Sequence, residues 1–237
     1  MTPRPRHHYL ECSKCESCFK VAKDVTSVPA HKCWAAEKEA ARILDAPTDP
    51  AVLLDADGCL VWTLRHPDLT RLADELLPLA LRWPTLKPDT ALGIAARRHT
   101  CAFGRPGAVY RYSQTTKVAA AWPAELHALH DEVVRRTGED FNFALVNLYP
   151  DGNAGLGWHA DDERDLAAGA PIVSVSLGAT RVFALTNNAT GAMVGVALEH
   201  GSMCVMAGET QRKWRHCITK DARVKTPRIS ITFRRLA

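Results

Sequence analysis

The residues of this sequence most able to do chemistry are two histidines and an aspartate. His159 and Asp161 lie two positions apart, and His216 follows on a distant segment. Side chains at i and i+2 of an extended segment point the same way, so His159 and Asp161 can hold one ion while a distant strand supplies His216. Two imidazoles and one carboxylate suit one face of an octahedral Fe(II), which leaves three positions open for a keto acid and dioxygen. The set therefore predicts an open-sided ferrous site.

Two arginines near the C-terminus are candidates for binding a carboxylate. Arg228 and Arg234 are separated by an even number of residues in a strand-like run, so both guanidiniums share one face and Ile229, Ile231 and Phe233 share the other. The planar fork of arginine matches the two oxygens of a carboxylate. Zinc is a chemical alternative for the three donors, but a catalytic zinc site usually keeps one open position and gives no reason for paired arginines.

With their neighbours, these residues resemble the AlkB family of Fe(II)/2-oxoglutarate dioxygenases, especially its members that repair alkylated DNA. The resemblance covers about residues 97–235 and is densest at residues 147–152, 157–164, 171–178, 200–202 and 228–234. It implies a dioxygenase that removes N-alkyl groups from DNA bases such as 1-methyladenine and 3-methylcytosine, in direct-reversal repair. The same chemistry on RNA or on a protein side chain is an alternative, and so is a non-catalytic nucleic-acid-binding module.

The pattern of hydrophobic segments predicts the fold class. Short, β-favouring segments after Gly138 predict an all-β sandwich or barrel. Before them, two short strands surround a turn at residues 55–58, Asp68 is a candidate helix cap, and Pro78 bends or ends that helix. Pro123 opens a second helix that ends at Gly138. The resemblance sharpens this to a mainly β fold with flanking α elements (α+β): a double-stranded β-helix (jelly roll) core with an N-terminal α/β nucleotide-recognition lid. The predicted strands of the core are residues 141–149, 172–177, 181–185, 194–198, 202–206 and 228–234.

Composition divides the chain near residue 50. Residues 1–50 form a Cys-rich N-terminal extension, and residues 51–237 form the dioxygenase domain, with lid and helices at 51–140 and the jelly-roll core at 141–237. Three thiolates of the extension, with a fourth cysteine or His31, can close a tetrahedral zinc site. An iron–sulfur cluster and free thiols are the alternatives. The candidate zinc ligands are Cys12, Cys15, Cys18 and Cys33.

The resemblance implies that His159, Asp161 and His216 bind Fe(II), and that 2-oxoglutarate and dioxygen complete the site. Four further residues would bind 2-oxoglutarate. Six residues of strand span roughly 20 Å, which is longer than the co-substrate. The arginine nearer the metal is therefore also expected to brace the ligand aspartate. The four residues are Asn147 and Tyr149, which share a strand face, Arg228 for the distal carboxylate, and Arg234 for the end nearer the metal. For the first two, ordinary packing at a strand end is the alternative.

A base must leave the duplex to reach a buried metal, and it then stacks on an aromatic side chain. By resemblance, Tyr112 is the stacking platform, Tyr110 is its hydrogen-bonding neighbour, and Glu163 faces the exocyclic nitrogen of a cationic methylated base. The alternatives are two tyrosines of a half-buried strand and a surface ion pair between Glu163 and Arg164. Basic residues around this pocket are candidates for phosphate contacts. They are Arg97, Arg98, His99, Arg105, Arg111, Lys117, Arg212, Lys213 and Arg215.

Bulk properties set the remaining expectations. The net charge of +4 suits a polyanionic partner without requiring one. No apolar run approaches 18 residues, so no membrane span is expected. Neither a secretory signal nor a disulfide framework is visible, which predicts an intracellular protein, cytoplasmic or nuclear. We expect a monomer.

Overall fold

The computed structural model describes residues 50–89, 97–112 and 115–237, together with the backbone of strands at 7–11, 18–22 and 42–45. In these residues strands dominate and helices are few. The helices are α1 (Pro67–Ala80), α2 (Ala124–Thr137) and the short α3 (Thr210–Lys213). The strands are β1 (His7–Glu11), β2 (Cys18–Ala22), β3 (Arg42–Asp45), β4 (Ala51–Ala56), β5 (Cys59–Arg65), β6 (Lys87–Pro88), β7 (His99–Gly104), β8 (Val109–Tyr112), β9 (Thr115–Val118), β10 (Ala120–Ala121), β11 (Phe143–Tyr149), β12 (Leu156–His159), β13 (Ile172–Gly178), β14 (Arg181–Asn187), β15 (Met193–Leu198), β16 (Ser202–Gly208), β17 (Trp214–Ile218) and β18 (Arg228–Arg234).

Two sheets carry most of the fold. The larger has the order β10-β7-β11-β18-β13-β16-β5-β4, with β6 beside β7, and the smaller has the order β12-β17-β14-β15-β3. In the larger sheet β18 lies antiparallel between β11 and β13. In the smaller sheet β17 lies antiparallel between β12 and β14. The hairpin β8-β9 and the pair β1-β2 form separate two-stranded sheets.

The alternation of side chains along β18 divides the interior into an apolar and a polar part. Ile229, Ile231 and Phe233 are fully buried in the cluster that also contains the apolar faces of α1 and α2. The intervening polar residues line a cavity on the opposite face of the sheet. Period-2 alternation therefore assigns one face of the strand to packing and the other to the site. The cavity-lining residues of β18 are Arg228, Ser230, Thr232 and Arg234.

A second apolar cluster links the two sheets. Phe183 and Leu185 of β14 pack in one buried group with Ile172 of β13 and Met206 of β16. At about 25 cal/mol per Å² of apolar surface, burial of such side chains is the main force that holds sheets together. The cavity is therefore bounded by strands whose positions are fixed by packing on both sides.

The helix boundaries correct one detail of the sequence prediction. Asp68 does not cap α1: the helix begins at Pro67, and the Nδ1 of His66 accepts a hydrogen bond from the N–H of Asp68. Pro78 lies inside α1, which ends at Ala80. The second helix ends as predicted at Gly138, whose φ of 72° is the left-handed conformation that favours glycine.

A buried arginine fastens two loops beside the smaller sheet. Arg181 is 2% exposed, and its guanidinium donates to the carbonyl oxygens of Asp151, Ala154 and Thr219 at 3.1, 2.8 and 2.5 Å. The loop before β12 and the segment after β17 are thereby tied to the start of β14. Gly152 fits this junction because a Cβ there would overlap the carbonyl of Asp221.

The predicted architecture is confirmed at the level of a mostly β protein with few helices. Each of the six predicted core segments contains a strand, and the turn at residues 55–58 joins β4 to β5. Sequence analysis did not delimit β12 or β17, the strands that carry His159 and His216. Among the described residues, none of the helices combines the length and apolarity that crossing a membrane requires.

Candidate active site

Three elements bring the His-Asp-His set together. His159 ends β12 and is the register partner of His216 on β17, and their ring centroids lie 4.1 Å apart. Asp161 lies two residues beyond the end of β12 and is not part of a strand. One ligand atom from each of the three residues lies within 4.8 Å of the others. This spacing can hold one metal ion.

Hydrogen bonds orient the donors of this set. His159 Nδ1 lies 2.8 Å from the carbonyl oxygen of Gly157, which directs Nε2 toward Asp161 Oδ1 at 3.8 Å. The second oxygen, Oδ2, accepts a hydrogen bond of 2.7 Å from Arg234 Nη2, and both residues are buried. One carboxylate oxygen is therefore held by Arg234 while the other faces the imidazoles.

The electrostatics favour the protonation states that bind metals. Burial, reinforced by the neighbouring His159, lowers the pKa of His216 to about 3, so its imidazole is neutral near pH 7. Burial alone would raise the pKa of Asp161, but Arg234 and the two imidazoles outweigh it and lower that pKa to about 2. A neutral imidazole and an ionised carboxylate are the forms that coordinate a divalent ion.

His159, Asp161 and His216 line one cavity of about 320 Å³, and Arg228 forms part of its wall. Arg228 is 1% exposed, and its Nη2 donates to Ser176 Oγ at 2.8 Å. Its Nε and Nη1 are buried without a hydrogen-bond partner. Burial lowers the pKa of Arg228 to about 10, so the side chain is still a cation at pH 7. A buried cation on a cavity wall, with two guanidinium nitrogens that lack a hydrogen-bond partner, can bind an anion.

Asn147 and Tyr149 of β11 line the same cavity, and both are buried. Tyr149 is the register partner of Arg228, whose Cζ lies 5.4 Å from the tyrosine ring centroid. The Oδ1 of Asn147 is buried and has no hydrogen-bond partner. Two neighbouring strands thus present unused polar atoms to the same space.

The predicted base-binding residues also meet in this cavity. Tyr110 and Tyr112 of β8 have ring centroids 5.5 Å apart, and Tyr110 donates its hydroxyl to Glu163 Oε2 at 2.6 Å. Burial, assisted by the charge of Asp161, raises the pKa of Glu163. Burial likewise raises the pKa of Tyr112 to about 12, so both tyrosines are neutral hydrogen-bonding groups. The surface ion pair considered for Glu163 and Arg164 is not among the contacts of the described residues, whereas the Tyr110 contact is.

Sequence analysis missed a buried ion pair in the cavity wall. Arg98 donates to the carboxylate of Asp89, and Lys117 Nζ lies 3.9 Å from the other carboxylate oxygen. Arg98 is only 7% exposed. The prediction that Arg98 contacts phosphate is therefore wrong, because its charge is enclosed and already paired. In the sequence, Asp89 is a single aspartate next to Pro88, and this pattern does not predict an ion pair with Arg98.

Most other basic candidates also have partners within the protein. Arg111 pairs with Asp165, Lys117 donates to Thr100, and Arg212 pairs with Glu209. Lys213 and Arg215 donate to Asp57 and Asn188. Arg97 and Arg105 are exposed. The phosphate-binding role of these residues stays a prediction.

The predicted zinc ligands fall largely outside the described residues. This holds for Cys12, Cys15, His31 and Cys33, and for Cys18 only the backbone of β2 is described. The zinc site stays a prediction. The other four cysteines, Cys59, Cys101, Cys204 and Cys217, are buried.

Comparison with known proteins identifies the class. The profile of the 2OG-Fe(II) oxygenase superfamily matches residues 83–234, well over half of the chain, and the protein belongs to this superfamily. A solved structure described as "The structure of OsALKBH1" superimposes with a TM-score of 0.50 at 17% identity. The alignment covers 78% of this chain and 100% of that one, which supports the oxygenase fold.

Within this superfamily, the chain is similar in sequence to proteins with AlkB names. The chain is 38% identical over 147 residues to "DNA oxidative demethylase ALKBH2" of Mus musculus, which covers 59% of this chain and 62% of the relative. It is 34% identical over 135 residues to "Alpha-ketoglutarate-dependent dioxygenase alkB homolog 3" of Bos taurus, with 53% and 47% covered. The AlkB resemblance is thus confirmed, although the chain spans about three fifths of the ALKBH2 relative and about half of the other.

Proposed function

We propose that this protein is an Fe(II)- and 2-oxoglutarate-dependent dioxygenase that demethylates alkylated bases in DNA. The observation that carries the proposal is that two features share one cavity: a His-Asp-His set that can hold a metal, and a buried arginine with two nitrogens that lack a hydrogen-bond partner. The ALKBH2 relatives are named for oxidative demethylation of DNA, which supports DNA as the substrate.

His159, Asp161 and His216 would hold Fe(II) in this proposal. The donor set fits the ion, because two neutral imidazoles and one carboxylate leave half of an octahedral shell open. When bound, iron with 2-oxoglutarate and dioxygen supplies the oxidation of an N-methyl carbon, and the hydroxylated carbon leaves as formaldehyde. Arg234 contributes by holding Oδ2 of Asp161, so that Oδ1 is the oxygen presented to the metal.

The anion that Arg228 requires would be the distal carboxylate of 2-oxoglutarate. The guanidinium nitrogens of Arg228 that lack a hydrogen-bond partner can donate charge-assisted hydrogen bonds to a carboxylate. Asn147 and Tyr149 lie beside it and would add hydrogen bonds. Arg234 would contribute at the end nearer the metal, where it is already paired with Asp161. The co-substrate is thereby oriented by side chains of β11 and β18.

The remaining part of the cavity would take the flipped base. Tyr112 offers an aromatic face for stacking, and Glu163, held by Tyr110, offers a carboxylate to an exocyclic amino group. A cationic methylated base fits such a carboxylate better than its neutral parent does. The hairpin β8-β9 that carries the tyrosines would belong to the N-terminal nucleotide-recognition lid, above a jelly-roll core built from the two sheets.

Two measurements test the proposal in sequence. Anaerobic addition of Fe(II) and 2-oxoglutarate should give saturable binding of both, with 2-oxoglutarate binding dependent on Arg228. Formaldehyde should then be released from an oligonucleotide that contains 3-methylcytosine, and succinate should form with it. Equal amounts of methylated single-stranded DNA, duplex DNA and RNA define the preferred nucleic acid. Absence of formaldehyde from every methylated nucleic acid, with metal and co-substrate bound, would overturn the demethylase proposal.

A further inference from the structure

We infer that Gln211 is a positioning residue of the metal site, which acts by holding the backbone of Asp161. The inference rests on the proposed function, because it assumes that Asp161 is a metal ligand. Gln211 lies on α3, outside the cavity lining, and it touches neither the metal position nor the substrate space. Its effect would be transmitted through Asp161 alone.

Asp161 lies just beyond the end of a strand. β12 ends at His159, so Asp161 has no strand partner to fix its backbone. Its N–H donates to Gln211 Oε1 at 2.9 Å, and its carboxylate accepts from Arg234. Asp161 is therefore held at two points, one on the backbone and one on the side chain. The Arg234 bond fixes which oxygen faces the metal, whereas the Gln211 bond fixes how far the residue lies from β17.

Gln211 is itself held by neighbouring contacts. Its Nε2 lies 3.3 Å from the sulfur of Met206, which leaves Oε1 free to accept from Asp161. The preceding residue, Thr210, is 1% exposed, and its hydroxyl lies 2.6 Å from the carbonyl oxygen of Ala207. Gln211 therefore belongs to a short helix whose first residue is hydrogen-bonded to β16.

The position of α3 in the chain connects Gln211 to a second ligand-bearing segment. α3 leads directly into β17, which carries His216. The hydrogen bond from Asp161 to Gln211 therefore ties two ligand-bearing segments that are far apart in sequence. Without it the N–H of Asp161 has no acceptor, and the irregular segment can shift relative to His216. Loss of such an outer partner typically lowers metal affinity by about 10- to 100-fold.

The test compares metal affinity in variants of the full chain. Gln211→Met keeps the approximate size of the side chain and removes the acceptor. Mn²⁺ affinity of the metal-free protein, measured without oxygen from the electron paramagnetic resonance signal of free Mn²⁺, should fall by about 10- to 100-fold.

A matched control separates positioning from general loss of stability. Val133→Ala on α2 opens a cavity in the apolar cluster, outside the lining of the site, and should lower the melting temperature without removing a ligand. Its Mn²⁺ affinity should equal that of wild type. If Gln211→Met also keeps wild-type affinity while its melting temperature falls, Gln211 is only structural and the inference is wrong. If wild type itself binds no Mn²⁺, or if Asp161→Ala binds it as well as wild type does, the proposed metal site fails instead.

Discussion

Two regions of one cavity differ in how their charges are balanced, although both are built on the same face of β18. At the metal end, Arg234 is buried and paired with the carboxylate of Asp161. At the opposite end, where the carboxylate of 2-oxoglutarate is proposed to bind, Arg228 is equally buried, but its Nη2 donates to a hydroxyl and two of its nitrogens lack a hydrogen-bond partner. The charge of Arg234 is therefore balanced within the protein, whereas we propose that the charge of Arg228 is balanced by a bound anion.

The difference also appears in the acidity of the two guanidiniums. Burial would lower the pKa of Arg234, but the charge of Asp161 outweighs it and raises that pKa above its ordinary value. Burial lowers the pKa of Arg228 to about 10, because the described residues supply no comparable anion. Arg234 is therefore expected to stabilise the folded protein, whereas Arg228 is not. Substitution of each arginine in turn can then separate an effect on 2-oxoglutarate binding from an effect on the free energy of unfolding.

The largest expected effect comes from removal of the carboxylate at the metal end. Asp161→Ala should abolish formaldehyde release, because only two ligands remain for the metal. It should also destabilise the metal-free protein by about 3–5 kcal/mol, since Arg234 becomes a buried cation without a partner. Turnover and urea unfolding measure the two effects, and oligonucleotide binding serves as the control that should be unchanged. Wild-type turnover in this variant would contradict the ligand assignment.

Substitution at the opposite end of the cavity should give a large effect on binding with little loss of stability. Arg228→Met removes two or more charge-assisted hydrogen bonds to 2-oxoglutarate, each worth about 1.5–3 kcal/mol. The dissociation constant of 2-oxoglutarate should therefore rise by at least about 100-fold. Because Arg228 donates to the hydroxyl of Ser176 and pairs with no carboxylate among the described residues, urea unfolding of the variant should show little loss of stability. An unchanged affinity for 2-oxoglutarate would place the co-substrate elsewhere.

The matching substitution at the metal end should behave in the opposite way. Arg234→Met leaves Asp161 buried without its cation and should lower the free energy of unfolding of the metal-free protein by about 3 kcal/mol. Arg228→Met, measured under the same conditions, should show no such fall in the free energy of unfolding, so the two variants test the contrast directly. Equal stability changes in the two variants would show that the difference between the two ends has no energetic consequence.

The smallest expected effect lies in the part of the cavity proposed for the base. Tyr112→Ala should weaken binding of a methylated oligonucleotide by about 1–3 kcal/mol, the usual contribution of stacking one base on an aromatic ring. The affinity for 2-oxoglutarate should stay as in wild type, because Tyr112 belongs to β8 rather than to β11 or β18. Loss of both affinities together would indicate collapse of the cavity instead of lost stacking.

The sequence predicted the features that depend on local spacing. The alternation of Arg228 with Ile229 is visible in the residue order, and strand geometry converts it into two faces. The features that depend on distant contacts were not accessible. The pairing of Asp89 with Arg98 requires β6 and β7 to lie side by side, and no short-range pattern records that pairing. The same applies to Gln211, whose role depends on the approach of two segments that are far apart in sequence.

The position of Arg181 limits how far two segments beside the smaller sheet can move. Its guanidinium joins the loop before β12 to the segment after β17, where three carbonyl oxygens converge on one side chain. The strand pair β8-β9, whose Tyr110 and Tyr112 line the cavity, is a separate two-stranded sheet, and Lys117 of β9 donates to Thr100 of the larger sheet. For the nucleotide proposed as substrate, we therefore expect the strand pair β8-β9 rather than the segments joined by Arg181 to move aside.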